Sequence, residues 1–166
     1  QHIDTLSDIS DAFSSFVSMP PQKKERTDLN AIIRHAIAIF DLPYIRFESK
    51  QEQICLWVDK NQMNRMLTNL LKNAIYATDN IPDPLIEVIT YVTGDFAYIV
   101  VKDNGSGVPP ELQERIFEPK FTTKNTAGSG LGLTMVKHII NAHGGTITLN
   151  SEVGKGATFT VELKIR

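Results

Sequence analysis

A chain of 166 residues that is 42% hydrophobic and 22% charged is long enough to bury one real core and falls in the ordinary range of a globular domain. Its net charge of −2 gives no general electrostatic reason to bind nucleic acid or an anionic membrane, so any phosphate held here must be held by local geometry. The single cysteine, Cys55, excludes an internal disulfide and fits a reducing compartment. No apolar run approaches the roughly 20 residues of a membrane span, and no signal peptide is visible. Because Gln1 rather than Met opens the sequence, the expectation is a fragment whose full-length protein could carry a membrane anchor elsewhere.

At the N-terminus, Leu6, Ile9, Phe13 and Phe16 recur at alternating spacings of three and four, with Ile3 and Val17 beside them. This is an apolar seam along one helix face, ended by Met19-Pro20-Pro21. The seam suits either an amphipathic helix packed on its own domain or the tail of a dimerising helical hairpin. Gln22 to Thr27 (QKKERT) then reads as a solvated linker. Asp28 is an expected N-cap for a helix buried along Leu29, Ile32, Ile33, Ala36, Ile37 and Phe40. Alternation from Tyr44 to Val58 predicts a pair of strands. Asp59 caps a second helix reaching about Thr78, with Met63, Met66, Leu67, Leu70, Leu71, Ala74 and Ile75 inward. Strands are expected over Leu85–Val92 and Phe96–Lys102, around the turn Thr93-Gly94-Asp95. A helix from about Gly130 to Ala142 stops at Gly144 and Gly145, and Thr146–Asn150 and Ala157–Ile165 close the chain as two strands. Helices set among antiparallel hairpins predict an α+β domain. Its form is a two-layer α/β sandwich, with a mixed, mostly antiparallel sheet carrying helices on one face, plus the N-terminal helical stub.

The chemistry concentrates between Asp103 and Leu133, DNGSGVPPELQERIFEPKFTTKNTAGSGLGL. Two glycine-rich turns flank an aromatic and acidic segment, and a helix follows. Glycines so spaced allow positive φ and close approach to a bulky anion. Upstream, Asn69 and Asn73 are four apart and share one helix face. A neutral amide oxygen suits Mg²⁺, which keeps several waters and takes its negative partners from nucleotide phosphates. Asp103, at a strand end before Gly105 and Gly107, can accept a hydrogen bond from the exocyclic amine of adenine. Guanine places an acceptor there, so the carboxylate would select against it. Lys124 and the amides around Gly128, Gly130 and Gly132 can face phosphates, assisted by the dipole of the next helix.

These segments carry a family resemblance. Asn69-Leu-Leu-Lys-Asn73-Ala resembles the asparagine box of bacterial sensor histidine kinases, and Asp103-Asn-Gly-Ser-Gly107 their first glycine box. Ile116-Phe-Glu-Pro-Lys-Phe-Thr-Thr-Lys124 resembles the phenylalanine box. Gly128-Ser-Gly-Leu-Gly-Leu133 resembles the second glycine box, and Ala142-His-Gly-Gly145 and Gly154-Lys-Gly-Ala-Thr-Phe159 the closing segments. The match runs from about residue 28 to 166. Residues 1–20, ending in Phe16-Val-Ser-Met-Pro20, resemble more loosely the second dimerisation helix of nitrogen-regulation-type kinases, with 21–27 as linker.

The resemblance implies the Bergerat fold, shared with gyrase, heat-shock chaperone and mismatch-repair ATPases, and it implies ATP and Mg²⁺ as cofactors. Asn73 would be the Mg²⁺ ligand and Asn69 a phosphate-side contact, with Asn69 and Lys124 the residues of the catalytic step. Asp103 would bind adenine in a pocket shaped by Gly105 and Gly107, supported by Thr158. Thr123 and Lys124 would begin a lid, and Gly128, Ser129, Gly130, Leu131, Gly132 and Leu133 would close it over the triphosphate. Tyr76 stands where many relatives place a phosphate-reaching lysine, and Lys120 replaces the usual apolar residue between Pro119 and Phe121. Phe117 and Phe121 are expected as packing at the lid base.

The ATPases of the superfamily carry a glutamate four residues before the Mg²⁺ asparagine, as a base that activates water. Here that position is Asn69, which favours a kinase. The family acceptor is a histidine followed by an acidic residue, whereas His2, His35, His138 and His143 are followed by Ile3, Ala36, Ile139 and Gly144. The acceptor is therefore expected upstream of Gln1. The implied partners are the protein's own dimerisation domain, in a homodimer, and a response regulator receiver domain, with no nucleic acid; the implied setting is cytoplasmic. Two alternatives remain open from sequence: an anti-sigma-type serine kinase, and a non-enzymatic nucleotide-sensing or docking module.

Overall fold

The structure, a computed structural model, describes residues 20–118 and 132–165. The N-terminal amphipathic helix expected over residues 1–20 lies almost wholly outside the described residues. In chain order the elements are β1 (Lys24–Asp28), α1 (Leu29–Phe40), β2 (Ile45–Ser49), β3 (Cys55–Asp59) and α2 (Lys60–Ala77). There follow β4 (Ile86–Thr93), β5 (Phe96–Asp103), the single-turn α3 (Pro110–Gln113), α4 (Gly132–Ala142), β6 (Thr146–Glu152) and β7 (Gly156–Lys164).

Both expected N-caps form. The Asp28 carboxylate accepts from the N–H of Asn30 at 3.1 Å and from that of Ile54 at 3.0 Å, and the Asp59 carboxylate accepts from the N–H of Gln62 at 3.0 Å. Capping satisfies amide protons that the first helical turn leaves without a partner. Helix α2 contains four asparagines, each costing up to about 0.7 kcal/mol of helix propensity, at Asn61, Asn64, Asn69 and Asn73. Burial offsets them. Met63, Met66, Leu67, Leu70 and Leu71 are all at most 1% exposed, and each such side chain stabilises by roughly 1.5–3 kcal/mol. The packed stripe holds this helix, and its other face is left for polar residues. Helix α4 ends as the glycine pair predicts: the Gly145 N–H donates to Ile140 O and the Gly144 N–H to Asn141 O, with Gly144 at φ +70°. This is a Schellman stop.

The main sheet has the order β2-β4-β5-β7-β6. Strand β2 runs parallel to β4, and the other neighbours are antiparallel. Val88, Ile99, Val101, Phe159, Val161 and Leu163 share one face and are buried with the stripes of α1, α2 and α4, so the helices cover one side of a mixed sheet. The two-layer α/β sandwich expected from the sequence is the architecture observed.

Two local expectations are corrected. The stretch read as a solvated linker contains β1, paired antiparallel with β3 in a separate two-stranded sheet, with Thr27 buried. The strands read as a pair between Tyr44 and Val58 do not pair with each other. Strand β2 joins β4 and β3 joins β1, and the intervening turn is held by a buried amide. Asn30, fully buried, donates to Ser49 Oγ at 2.9 Å and to Gln51 O at 2.9 Å, and accepts from Thr90 Oγ1 at 2.8 Å.

Candidate nucleotide site

Strand β5 delivers its last residue to the helix-covered side of the sheet, because Ile99, Val101 and Asp103 alternate onto that face. Asp103 is 4% exposed, and its carboxylate accepts from the Gly105 N–H at 2.8 Å. Burial raises its pKa; the N–H groups of Gly105 and Ala157 oppose the shift without cancelling it. A buried carboxylate with this environment is a selective hydrogen-bond acceptor for a neutral donor.

The first glycine turn is docked on the end of α2. The Ser106 N–H donates to Ala77 O at 3.3 Å, and a Cβ on Gly105 would collide with that same carbonyl. Close backbone packing therefore explains Gly105 before any ligand is considered. Gly107, at φ +77°, is backed against the Glu152 carbonyl. There the turn is tied to the β6–β7 hairpin: Gly154 N–H donates to Ser106 O at 2.9 Å, Val108 N–H to Ser151 Oγ at 2.8 Å, and Ser151 Oγ to Gly156 O at 2.9 Å.

Asn69, Asn73 and Tyr76 lie along one face of α2, four and three residues apart. The two asparagines are half-buried and Tyr76 is exposed. Asn69 Nδ2 donates to Gly132 O at 3.4 Å, which brings the start of α4 to this face; Gly132 is exposed and Leu133 packs against the core. The structure thus gathers Asn69, Gly132 and Leu133 at one place. Asp103 and Gly105 sit at the other end of α2, against Ala77.

Thr158 is not brought to Asp103. Its partners in the ladder are Lys102 and Asn150, whereas Ala157 stands opposite Asp103. Directly opposed residues share a face and neighbours alternate, so Thr158 lies on the side of the sheet away from the helices. The expected support for Asp103 is offset by one residue, and the position across from it carries only a methyl group. Thr123, Lys124, Gly128, Ser129, Gly130 and Leu131, with Phe121, lie outside the described residues.

Three further side chains position the site without having been singled out in the sequence. Asn104 binds the preceding loop to the end of β5, accepting from Leu85 N–H at 2.9 Å and donating to Asp83 O at 2.8 Å. Ser151 bridges the glycine turn to the last hairpin, as described. Thr134 donates to Phe117 O at 2.8 Å. The Phe117 ring packs edge-on against Phe159, centroids 6.2 Å apart, with Lys137 Nζ 5.6 Å from its centroid. Phe117 is thus a packing residue, as expected. The signal for Asn104 is its place inside the first glycine box, between Asp103 and Gly105.

Residues 58–166 match the family described as histidine kinase-, DNA gyrase B-, and HSP90-like ATPase. The chain is 35% identical to nitrogen regulation protein NtrY of Azorhizobium caulinodans over 163 residues, covering 93% of this chain and 21% of that protein. It is 30% identical over 170 residues to a putative sensor histidine kinase NtrY-like of Rickettsia conorii, covering 100% of this chain and 28% of that one. The chain therefore spans about a quarter of the length of these relatives. Among solved structures, the nucleotide-free catalytic domain of histidine kinase ThkA aligns with a TM-score of 0.76 at 29% identity, covering 86% of this chain and 96% of that one. ThkA in complex with the response regulator protein TrrA aligns with a TM-score of 0.81 at 26% identity, covering 99% of this chain and 48% of that one. With the match running through both asparagines, both glycine turns and the closing hairpin, the chain belongs to the histidine kinase-, DNA gyrase B- and HSP90-like ATPase family.

Proposed function

We propose that this domain binds Mg²⁺–ATP and transfers the γ-phosphoryl group to a histidine on the dimerisation domain of its full-length protein, for relay to a response regulator. Residues 1–20 would be the end of the second dimerisation helix, and the protein would act as a homodimer with this domain on the cytoplasmic side. The observation that carries the reading is the pair on α2. Asn73 offers an amide oxygen, and Asn69, four residues earlier, offers no base that could take a proton from water. A bound triphosphate is then protected from hydrolysis and kept for transfer to another acceptor.

The residues fit a metal that arrives with its nucleotide. Among the described residues no group of three or more His, Cys, Asp or Glu could hold an ion alone. A single amide, waters and phosphate oxygens are the coordination Mg²⁺ favours. Mg²⁺ supplies neutralisation of phosphate charge, and transfer then depends mainly on positioning. Asp103 orients adenine through its exocyclic amine; Asn69 and Lys124 act on the phosphate side. Two measurements test the proposal together. The chain should bind Mg²⁺–ATP, and it should place acid-labile phosphate on a separately supplied dimerisation domain carrying the acceptor, slowly because the two are untethered. Label on His2, His35, His138 or His143 of this chain, with none on the added domain, would sink it.

A further inference from the structure

His143 has the Gln22 amide nitrogen 3.3 Å from Nδ1 and 3.4 Å from Nε2, but its two shortest contacts are to groups whose roles fix its tautomer. Its Nδ1 lies 2.8 Å from the carbonyl of Ile139, which can only accept, and its Nε2 lies 3.1 Å from the backbone N–H of Asp59, which can only donate. Nδ1 therefore carries the proton and Nε2 stays bare. Asp59 is itself a junction. One carboxylate oxygen caps α2 through Gln62 N–H at 3.0 Å, and the other accepts from Lys23 N–H at 2.7 Å. Gln22 closes the cluster, its Nε2 lying 3.2 Å from Ala142 O and 3.3 Å from Gln62 Oε1. Three elements meet here: the start of β1, the head of α2 and the end of α4.

We propose that His143 is a positioning residue for the nucleotide site. Through Asp59 it locks these three elements into one joint, so that the chain entering at Pro20–Pro21 moves together with the helix that carries Asn69 and Asn73. The inference rests on the nucleotide reading given above. Asn69 lies ten residues beyond Asp59, and a helix rises about 1.5 Å per residue, so a tilt at the head of α2 reaches the site about 15 Å away. A second proton on the ring would set Nε2–H against the Asp59 N–H, donor facing donor, and open the joint. The charged groups acting on the ring are Lys24 of β1 and Asp59. Burial, and secondarily Lys24, hold the imidazole below its usual pKa, against the pull of the Ile139 carbonyl and Asp59.

The test measures Mg²⁺–ATP affinity of the whole chain by calorimetry across pH, with circular dichroism at each point so that only folded protein is counted. A wild-type chain that does not bind Mg²⁺–ATP overturns the nucleotide reading, and this inference with it. Given binding, His143→Phe keeps an apolar ring but no acceptor, and should weaken affinity about five- to tenfold. His143→Gln can accept the Asp59 N–H through its side-chain oxygen and should restore most of the loss. It should also remove the part of the wild-type decline that sets in as pH falls through the depressed pKa of the ring, below its usual 6.5. Protonation of Asp103 acts in every variant, so the difference between profiles isolates His143. Folded His143→Phe with wild-type affinity would overturn the inference. So would a His143→Gln profile that parallels the wild type, or ring ¹⁵N shifts placing the proton on Nε2.

Discussion

On the proposed reading, Asn73 and Asp103 would make separable demands on the same nucleotide. If Asn73 contributes only through the metal, Asn73→Ala should weaken ATP binding about tenfold or more in Mg²⁺, some 1.4 kcal/mol, and barely change it in EDTA. Calorimetry in the two buffers decides this, and equal loss in both would make Asn73 structural. Asp103→Asn replaces an acceptor by a group that can also donate, so the preference for ATP over GTP should shrink. The same substitution carries a stability sign. Burial raises the Asp103 pKa in the fold, so at neutral pH its ionisation disfavours folding, and the cost disappears as pH falls below that raised value. Asp103→Asn should therefore melt no lower than wild type near neutrality, with any gain shrinking in acid. A large loss of stability at pH 7 would mean that the charged hydrogen bond from Gly105 outweighs desolvation.

At the scale of elements, the turn that separates β2 from β3 depends on one buried amide. Asn30 touches Ser49, Gln51 and Thr90, so Asn30→Ala removes its buried hydrogen bonds and leaves Ser49, Gln51 and Thr90 only those they make to one another. The expected cost is about 2–4 kcal/mol in urea unfolding, with nucleotide affinity of the folded protein nearly unchanged because Thr90 lies far along β4 from the end that pairs with Asp103. Gly105→Ala acts differently. A methyl there meets the end of α2, so it should lower both melting temperature and ATP affinity. A variant that keeps its melting temperature but loses affinity would show that ligand approach, not helix docking, demands the glycine.

For the whole molecule, acid should loosen the joint around Asp59 before it unfolds the sheet. Burial alone would raise the Asp59 pKa, but the N–H groups of Lys23, Gln62 and Asn61, with His143, bring it below its usual value. A depressed carboxylate contributes stability that is lost as pH falls through the folded pKa, and this acts only in strong acid. His143, also depressed, is neutral in both states at high pH; below about its ordinary pKa of 6.5 the unfolded chain takes up the proton first. Melting temperature should therefore begin to fall below about pH 6.5 in the wild type. In His143→Gln this first decline should be absent, leaving only the later one from Asp59. Identical melting profiles for the two proteins would remove His143 from the acid response.

Much of this protein is written within short windows of its sequence. The caps at Asp28 and Asp59, the buried stripes of α1 and α2, the stop at Gly144-Gly145 and the placement of Asn69 beside Asn73 follow from side-chain chemistry within a few residues. A cap needs a carboxylate near three amides, and a stripe needs only the helical repeat. Tertiary structure decided what depends on distant partners. Lys24–Thr27 is mostly charged and reads as linker, yet with Asp28 it becomes a strand because β3, some thirty residues later, offers it an edge. Thr158 and Ala157 are adjacent in sequence, and only the register against β5 determines which of them faces Asp103. In a sheet, one residue of offset exchanges the two faces. His143 reads as a histidine beside two glycines until Asp59, brought from the far end of another helix, supplies the donor that fixes its tautomer.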